Sequence, residues 1–239
     1  MVIIVAKLFC VSDIHGFFNE FKKALDEAGF DENNPEHWLI VCGDCFDRGN
    51  KPLEVMNYLM NLERSIVVKG NHEILLLDCI QRGYPCSHDW HNGTADTIIT
   101  FGGDIKDFGR DCTITYEKVK DFIYSMHNYF ETKKYVFVHG WFPIKNDWRN
   151  ANQNDWDDAM WYNGMQMAMC SGIENKTVVC GHYHTSWGHH MQDGSPEFGE
   201  GADFSPYYGD GVIAIDACTA YSGKVNVLVL EDEFLNEEF

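Results

Sequence analysis

The spacing of apolar and polar positions divides the first third of the chain into three similar units. "VIIVAKLFCVS" (2–12) is apolar almost throughout, the pattern of a buried strand. In "NEFKKALDEAGF" (19–30), Phe21, Leu25 and Ala28 recur at helical spacing, and Gly29 supplies the stop. "HWLIVCG" (37–43) predicts a second strand, and "KPLEVMNYLMNLE" (51–63) a helix with Pro52 in its first turn. "SIVVKG" (65–70) and "EILLLDCIQRG" (73–83) predict a third strand and a third helix. Such alternation argues for a layered α/β fold.

The regularity breaks after Gly83. Residues 84–115 are rich in Gly, His and Asp and predict one short helix near 95–101. "YEKVKDFIYSMHNYFE" (116–131) predicts another helix. Four further strands are predicted at "KYVFVHG" (134–140), "KTVVCGH" (176–182), "GVIAIDA" (211–217) and "KVNVLVLED" (224–232). The last two leave no room for a helix between them and are expected to form an antiparallel hairpin, which makes the sheet system mixed. "EDEFLNEEF" (231–239) reads as a solvated acidic tail. No repeat or linker-like stretch interrupts the chain. One domain is expected over 1–239, with variable segments near 84–115 and 185–211.

Composition narrows the class. A chain of 239 residues with 45% hydrophobic positions can bury a sizeable core. Its net charge is −19, from 18 basic and 37 acidic side chains. That field repels nucleic-acid backbones and anionic membranes, so neither is expected as a partner. The N-terminal apolar run lacks a basic flank, contains Lys7 and ends at Asp13. It reads as a strand rather than a signal peptide or a membrane span, and the chain is expected to be cytoplasmic. Nine scattered cysteines suggest no disulfide framework. Cys42 and Cys45 form a C-x-x-C, but Asp44 and Asp47 disfavour a thiolate there.

The candidate chemistry collects where predicted strands end. "SDIHG" (12–16), "GDCFDRG" (43–49), "GNHE" (70–73), "VHG" (138–140) and "CGHYH" (180–184) each follow an apolar run. In α/β sheets ligands gather beyond the carboxyl ends of strands. Any one of these is an ordinary polar turn; five together are not expected by chance. Asp13, His15, Asp44, Asn71, His139, His182 and His184 offer oxygen and nitrogen donors without a thiolate. Such a set suits Mn, Fe or Zn and is too rich in imidazole for a Ca or Mg cage. Seven donors exceed one site with room for substrate, and two ions sharing a carboxylate is the economical solution.

The ordered motifs "DIHG", "GDCFDRG", "GNHE", "VHG" and "GHYH" resemble those of the calcineurin-like metallophosphoesterases. The second and third resemble the phosphoprotein phosphatase branch, which includes bacterial and phage serine/threonine phosphatases and symmetrical diadenosine tetraphosphate hydrolases. The resemblance runs from Asp13 to about Leu230 and is poorest over 84–115 and 185–211. It implies an α/β sandwich of two mixed β-sheets flanked by helices. It also implies a metal-dependent phosphomonoesterase, foremost a protein serine/threonine phosphatase, in which a metal-bound hydroxide attacks phosphorus in line.

By the same resemblance, Asp44 bridges two divalent ions, manganese first and iron or zinc as alternatives. One ion takes Asp13, His15 and Asp44, the other Asp44, Asn71, His139 and His182, and His184 is a further candidate ligand. Asp47 orients His72, which protonates the leaving group, while Arg48 and Asn71 face the substrate phosphoryl group. The branch's second phosphate-binding arginine is absent after Trp161, and Arg149 is the candidate substitute. Expected partners are a phosphorylated protein or a small phosphoester. Two rivals remain open. A diadenosine tetraphosphate hydrolase would use Trp187, Phe198, Phe204, Tyr207 and Tyr208 for stacking, where packing of the loop on itself is the alternative. A non-catalytic metal-dependent binding module should have lost His72 or Arg48, and this chain keeps both.

Overall fold

The computed structural model describes residues 2–102 and 113–236. Its first sheet is built from β1 (Val2–Val11), β2 (His37–Cys42) and β3 (Ser65–Val68), with β9 (Leu228–Asn236) on the far edge, in the order β3-β2-β1-β9. The first three strands are parallel and β9 is antiparallel to β1. The second sheet has the order β4-β5-β6-β8-β7, from β4 (Phe130–Glu131), β5 (Tyr135–Phe137), β6 (Thr177–Cys180), β7 (Tyr207–Gly209) and β8 (Val212–Ala214). Here β5, β6 and β8 run parallel, and β4 and β7 are antiparallel edges. The fold is the expected sandwich of two mixed sheets flanked by helices.

The period of two along β1 explains the layering. Leu8 and Cys10 face the second sheet, in one cluster with Ile40, Val68, Phe137 and Val179. Phe9 and Val11 face the other way, onto α1 (Phe18–Ala28), α2 (Pro52–Asn61) and α3 (Asn71–Arg82) through Phe21, Leu25, Val55 and Leu76. The second sheet likewise buries its outer face, with Val136, Val178 and Cys180 packed under Trp141, Trp148 and Trp156. Trp156 lies on α7 (Gln153–Ala159), which precedes α8 (Gly164–Ala168).

Four expectations need correction. The strands predicted at 211–217 and 224–232 do not form a hairpin: β8 and β9 belong to different sheets, with α10 (Thr219–Ser222) between them. The hairpin is β7–β8, closed by Asp210–Gly211, with Gly211 at φ 70. Asp-Gly between two strands is a strong local turn signal, and it marks this hairpin in the sequence. The acidic tail is structured as far as Asn236, because Phe234 packs edge-on against Trp38 and Phe130, and Asp232 accepts from Thr132 Oγ1 and the Lys134 amide, both at 2.7 Å. Its last three residues lie outside the described ones.

The helix predicted over 116–131 is α6 (Thr113–Ser125), which stops early. The following chain pairs with β3, where the His127 amide donates to Val67 O at 2.9 Å, a tertiary contact that overrides local helical spacing. Finally, the segment expected to be a loop over 185–211 contains α9 (Thr185–Asp193) as well as β7. The short helix expected near 95–101 is present as α5 (Thr94–Thr100), preceded by α4 (Ser87–Asn92); residues 103–112 lie outside the described ones.

Candidate active site

The parallel strands of both sheets end on one side of the sandwich, and the polar motifs meet there. The loop after β1 lies against the loop after β2, with the Asp13 and His15 amides donating to Gly43 O and Asp44 O. His139 follows β5 and His182 follows β6. The close packing needs glycine. A Cβ on Gly70 would fall on Asp44 Oδ1, and one on Gly181 on Ser12 and Asp13. Six of the non-glycine residues with positive φ are Asp13, His15, Asp44, Asp47, Arg48 and His182, all from the predicted site. Backbone held there costs roughly 1–3 kcal/mol each and persists where surrounding structure fixes it.

Three imidazoles commit one nitrogen to the main chain. His15 Nδ1 donates to Phe46 O at 2.8 Å, and His139 Nδ1 to Cys42 O at 2.8 Å. His182 hydrogen-bonds the Trp161 backbone. Their other nitrogens therefore point lone pairs inward. His139 Nε2 lies 2.7 Å and His182 Nδ1 2.9 Å from Asn71 Oδ1, and His139 Nε2 is 3.4 Å from Asp44 Oδ1. On the other side of Asp44, His15 Nε2 is 3.6 Å from Oδ2 and 3.8 Å from Asp13 Oδ1. Around Asn71 Oδ1 and Asp44 Oδ1 acceptors face acceptors in a buried place, the arrangement that cations resolve. The donor set fits two divalent ions sharing Asp44: Asp44, His139 and His182 offer ligand atoms within 4.8 Å of one another, and His15 faces Asp44 and Asp13 on the other side.

His72 differs from the other three. Its Nδ1 donates to Asp47 Oδ2 at 2.7 Å, a carboxylate rather than a carbonyl. Arg48 spans the rim, with Nη1 2.8 Å from His15 Nε2 and Nη2 3.1 Å from His72 Nε2.

Residues 6–186 match the family model of the calcineurin-like phosphoesterases. The chain belongs to that family. A symmetrical bis(5'-nucleosyl)-tetraphosphatase of Glaesserella parasuis serovar 5 is 42% identical over 74 residues, 30% of this chain and 26% of that relative. The match thus spans about a quarter of the relative's length. Among solved structures, a candidate diadenosine tetraphosphatase superposes with a TM-score of 0.58 at 14% identity, covering 97% of this chain and 95% of the other. A serine/threonine phosphatase of Saccharomyces cerevisiae gives 0.55 at 12% identity, covering 97% and 81%. These structural likenesses concern the fold.

Electrostatics separates the groups of this site. Burial lowers the pKa values of His15, His139 and His182, the last to about 4, which keeps their lone pairs free. His72 moves up: burial opposes the charged ring, but Asp44 and Asp47 outweigh it. Burial alone would raise Asp44, yet His139, His72, His15 and His182 together hold it low. Asp13 is raised by burial and by the charges of Asp216 and Asp44. The buried thiols of Cys42 and Cys45 are also pushed up, so the C-x-x-C is inert.

Two expected residues are not brought to the cluster. His184 gives Nε2 to Glu197 at 3.2 Å and Nδ1 to Ser186 Oγ at 2.9 Å. Arg149 makes a two-pronged pair with Glu131, both contacts 2.7 Å, and lies over Trp148. Two residues outside the expected set join the site. Glu73 accepts from the amides of Asp44, Cys45 and Gly70 at 2.8–2.9 Å, clamping the Asp44 loop to α3. Asp216, after β8, is buried, and burial raises its carboxyl to about 6. Its place at a strand's carboxyl end was the available signal.

Proposed function

We propose that the chain is a di-metal phosphomonoesterase acting on phosphoserine and phosphothreonine in proteins. The buried His72–Asp47 pair beside Arg48 carries this reading. A carboxylate behind an imidazole also occurs in metal ligands, but His72 is set apart because, against burial, Asp44 and Asp47 raise its pKa, while burial lowers those of His15, His139 and His182. With Nδ1–H held by Asp47, Nε2 is the nitrogen that exchanges protons with the site. The raised pKa favours the protonated ring that a leaving-group acid needs. Arg48 offers a planar fork to two phosphoryl oxygens, beside Asn71. When bound at the donors around Asp44, divalent ions, manganese foremost, supply charge neutralisation at phosphorus and acidify water.

Charge supports the substrate class. Arg149 is occupied by Glu131, while Asp216 stands beside the cluster in a chain of net charge −19. One phosphoryl group is matched by Arg48; the extra charges of a polyphosphate would meet carboxylates. A second reading, symmetrical hydrolysis of a dinucleoside tetraphosphate, is favoured by the 42% identity to a protein of that name. Assaying a phosphothreonine peptide, an aryl phosphate and diadenosine tetraphosphate side by side tests both. The expected result is a higher kcat/KM for the peptide; preferred cleavage of the dinucleotide overturns the proposal in favour of the second reading.

A further inference from the structure

Asp47 is fully buried, and His72 accounts for only one of its carboxylate's contacts. A carboxylate has about four acceptor positions, and leaving a buried charge unsolvated is costly. Two threonines of α5 fill the remainder. Thr94 Oγ1 donates to Asp47 Oδ2 at 2.6 Å, and Thr97 Oγ1 to Oδ1 at 2.9 Å. Thr97 Oγ1 also accepts from the Asp47 amide at 3.0 Å, closing a ring around the residue. Thr94 and Thr97 are three apart, hence on one face of the helix, and both are buried. Ile98 and Phe101 anchor this stretch in the core, Phe101 edge-on to Phe46. Just before α5, Gly93 approaches so closely that a Cβ would fall on the Arg48 amide nitrogen.

We infer that Thr94 and Thr97 are positioning residues for the leaving-group acid, aiming the Asp47 carboxylate so that His72 keeps its ring plane and presents Nε2 to the departing oxygen. The inference rests on the reading of His72 as acid. It gives a segment outside the family's motifs a part in catalysis without contact with the substrate. Valine at either position preserves the shape and removes the hydroxyl donor, leaving the carboxylate free to turn. Serine restores the donor.

The test compares the Thr94→Val/Thr97→Val chain with wild type on p-nitrophenyl phosphate, whose leaving group needs little protonation, and on an alkyl phosphate such as phosphoserine peptide. The expected result is a kcat loss of roughly 10- to 100-fold on the alkyl ester, part of the 10²–10⁴ attributable to a general acid. The aryl ester should lose less than about 3-fold, KM should hold on both, and Thr→Ser at both positions should recover most of the loss. Equal losses on the two esters, or no recovery with serine, overturn the inference. Should the double variant not fold, each single valine variant carries the same selectivity test. A second readout avoids turnover: in the metal-free, ¹⁵N-histidine-labelled protein, the His72 Nδ1 proton, assigned by its loss in His72→Asn, should broaden or move upfield in the valine chain. An unchanged resonance counts against the positioning role. Absence of ester selectivity in His72→Asn itself would instead refute the acid; selectivity there but not in the threonine variants refutes this inference alone.

Discussion

Two segments fall outside the family's motifs, and they behave in opposite ways. The described part of 84–115 sends Thr94 and Thr97 into the site and packs Gly93 on the Arg48 loop. The segment 185–211 turns its polar and aromatic groups onto itself, its flanks and the second sheet's core. His184 pairs with Glu197, Phe198 lies against His184, Phe204 and Tyr221, and the Tyr221 hydroxyl accepts from the Gly199 amide. It touches the site at its root, where the Thr185 amide donates to Asp216 O at 2.9 Å. Distance from the motifs in sequence therefore does not say where a segment's polar groups go; the fold decides it.

The largest expected effect lies on the residue that the first segment supports. His72→Asn should lower kcat on an alkyl phosphate by ~10²–10⁴-fold and on an aryl phosphate by much less, with metal content unchanged. Because His72 gives up its proton as pH rises, the alkyl-ester rate should fall on the alkaline side of a pKa above the usual imidazole value. A rate on alkyl esters that is flat with pH through this range would remove the acid role.

Glycine substitutions separate the two segments directly. Gly93→Ala must hold φ 84 and also displace the Arg48 backbone, and should cost about 2–4 kcal/mol in chemical denaturation, together with activity. Gly194, at the end of α9, has φ 78, but a Cβ there would meet nothing within 4 Å. Gly194→Ala should cost only about 1 kcal/mol and leave kcat alone. Similar costs would erase the contrast.

The carboxyls between the segments predict a proton count. Asp13 is raised, and Asp216 is raised to about 6, so the metal-free site retains protons near pH 6. A cation favours the ionised carboxylates, so binding should release about one proton, and affinity should increase from about pH 5 to 7. Calorimetry in buffers of different ionisation enthalpy measures this directly; no buffer dependence would contradict it. The smallest effects belong to the second segment. His184→Ala should leave metal stoichiometry unchanged, and Phe198→Ala should cost about 1 kcal/mol of stability with little change in phosphopeptide turnover. A lost ion in the first variant would make His184 a ligand; a selective loss of dinucleotide cleavage in the second would point to a base platform.

The sequence by itself determined the strand–helix alternation, the five polar strand ends and the donor types of the candidate metal cluster. Apolar spacing and residue chemistry are local properties, written within a few residues of each motif. Asp47, His72 and Arg48 were legible for the same reason, each lying inside a short motif. Only the tertiary structure decided that β8 and β9 part into different sheets, since local spacing does not say which edge a strand joins. It alone turned His184 toward Glu197 and Arg149 toward Glu131, because a side chain's partner depends on what the fold places opposite it. It also brought in Glu73, Thr94, Thr97 and Asp216, whose roles come from hydrogen bonds and fields between residues far apart in the chain. The positive φ values of Asp13, His15, Asp44, Asp47, Arg48 and His182 are unfavourable locally, and packing around the site must sustain them.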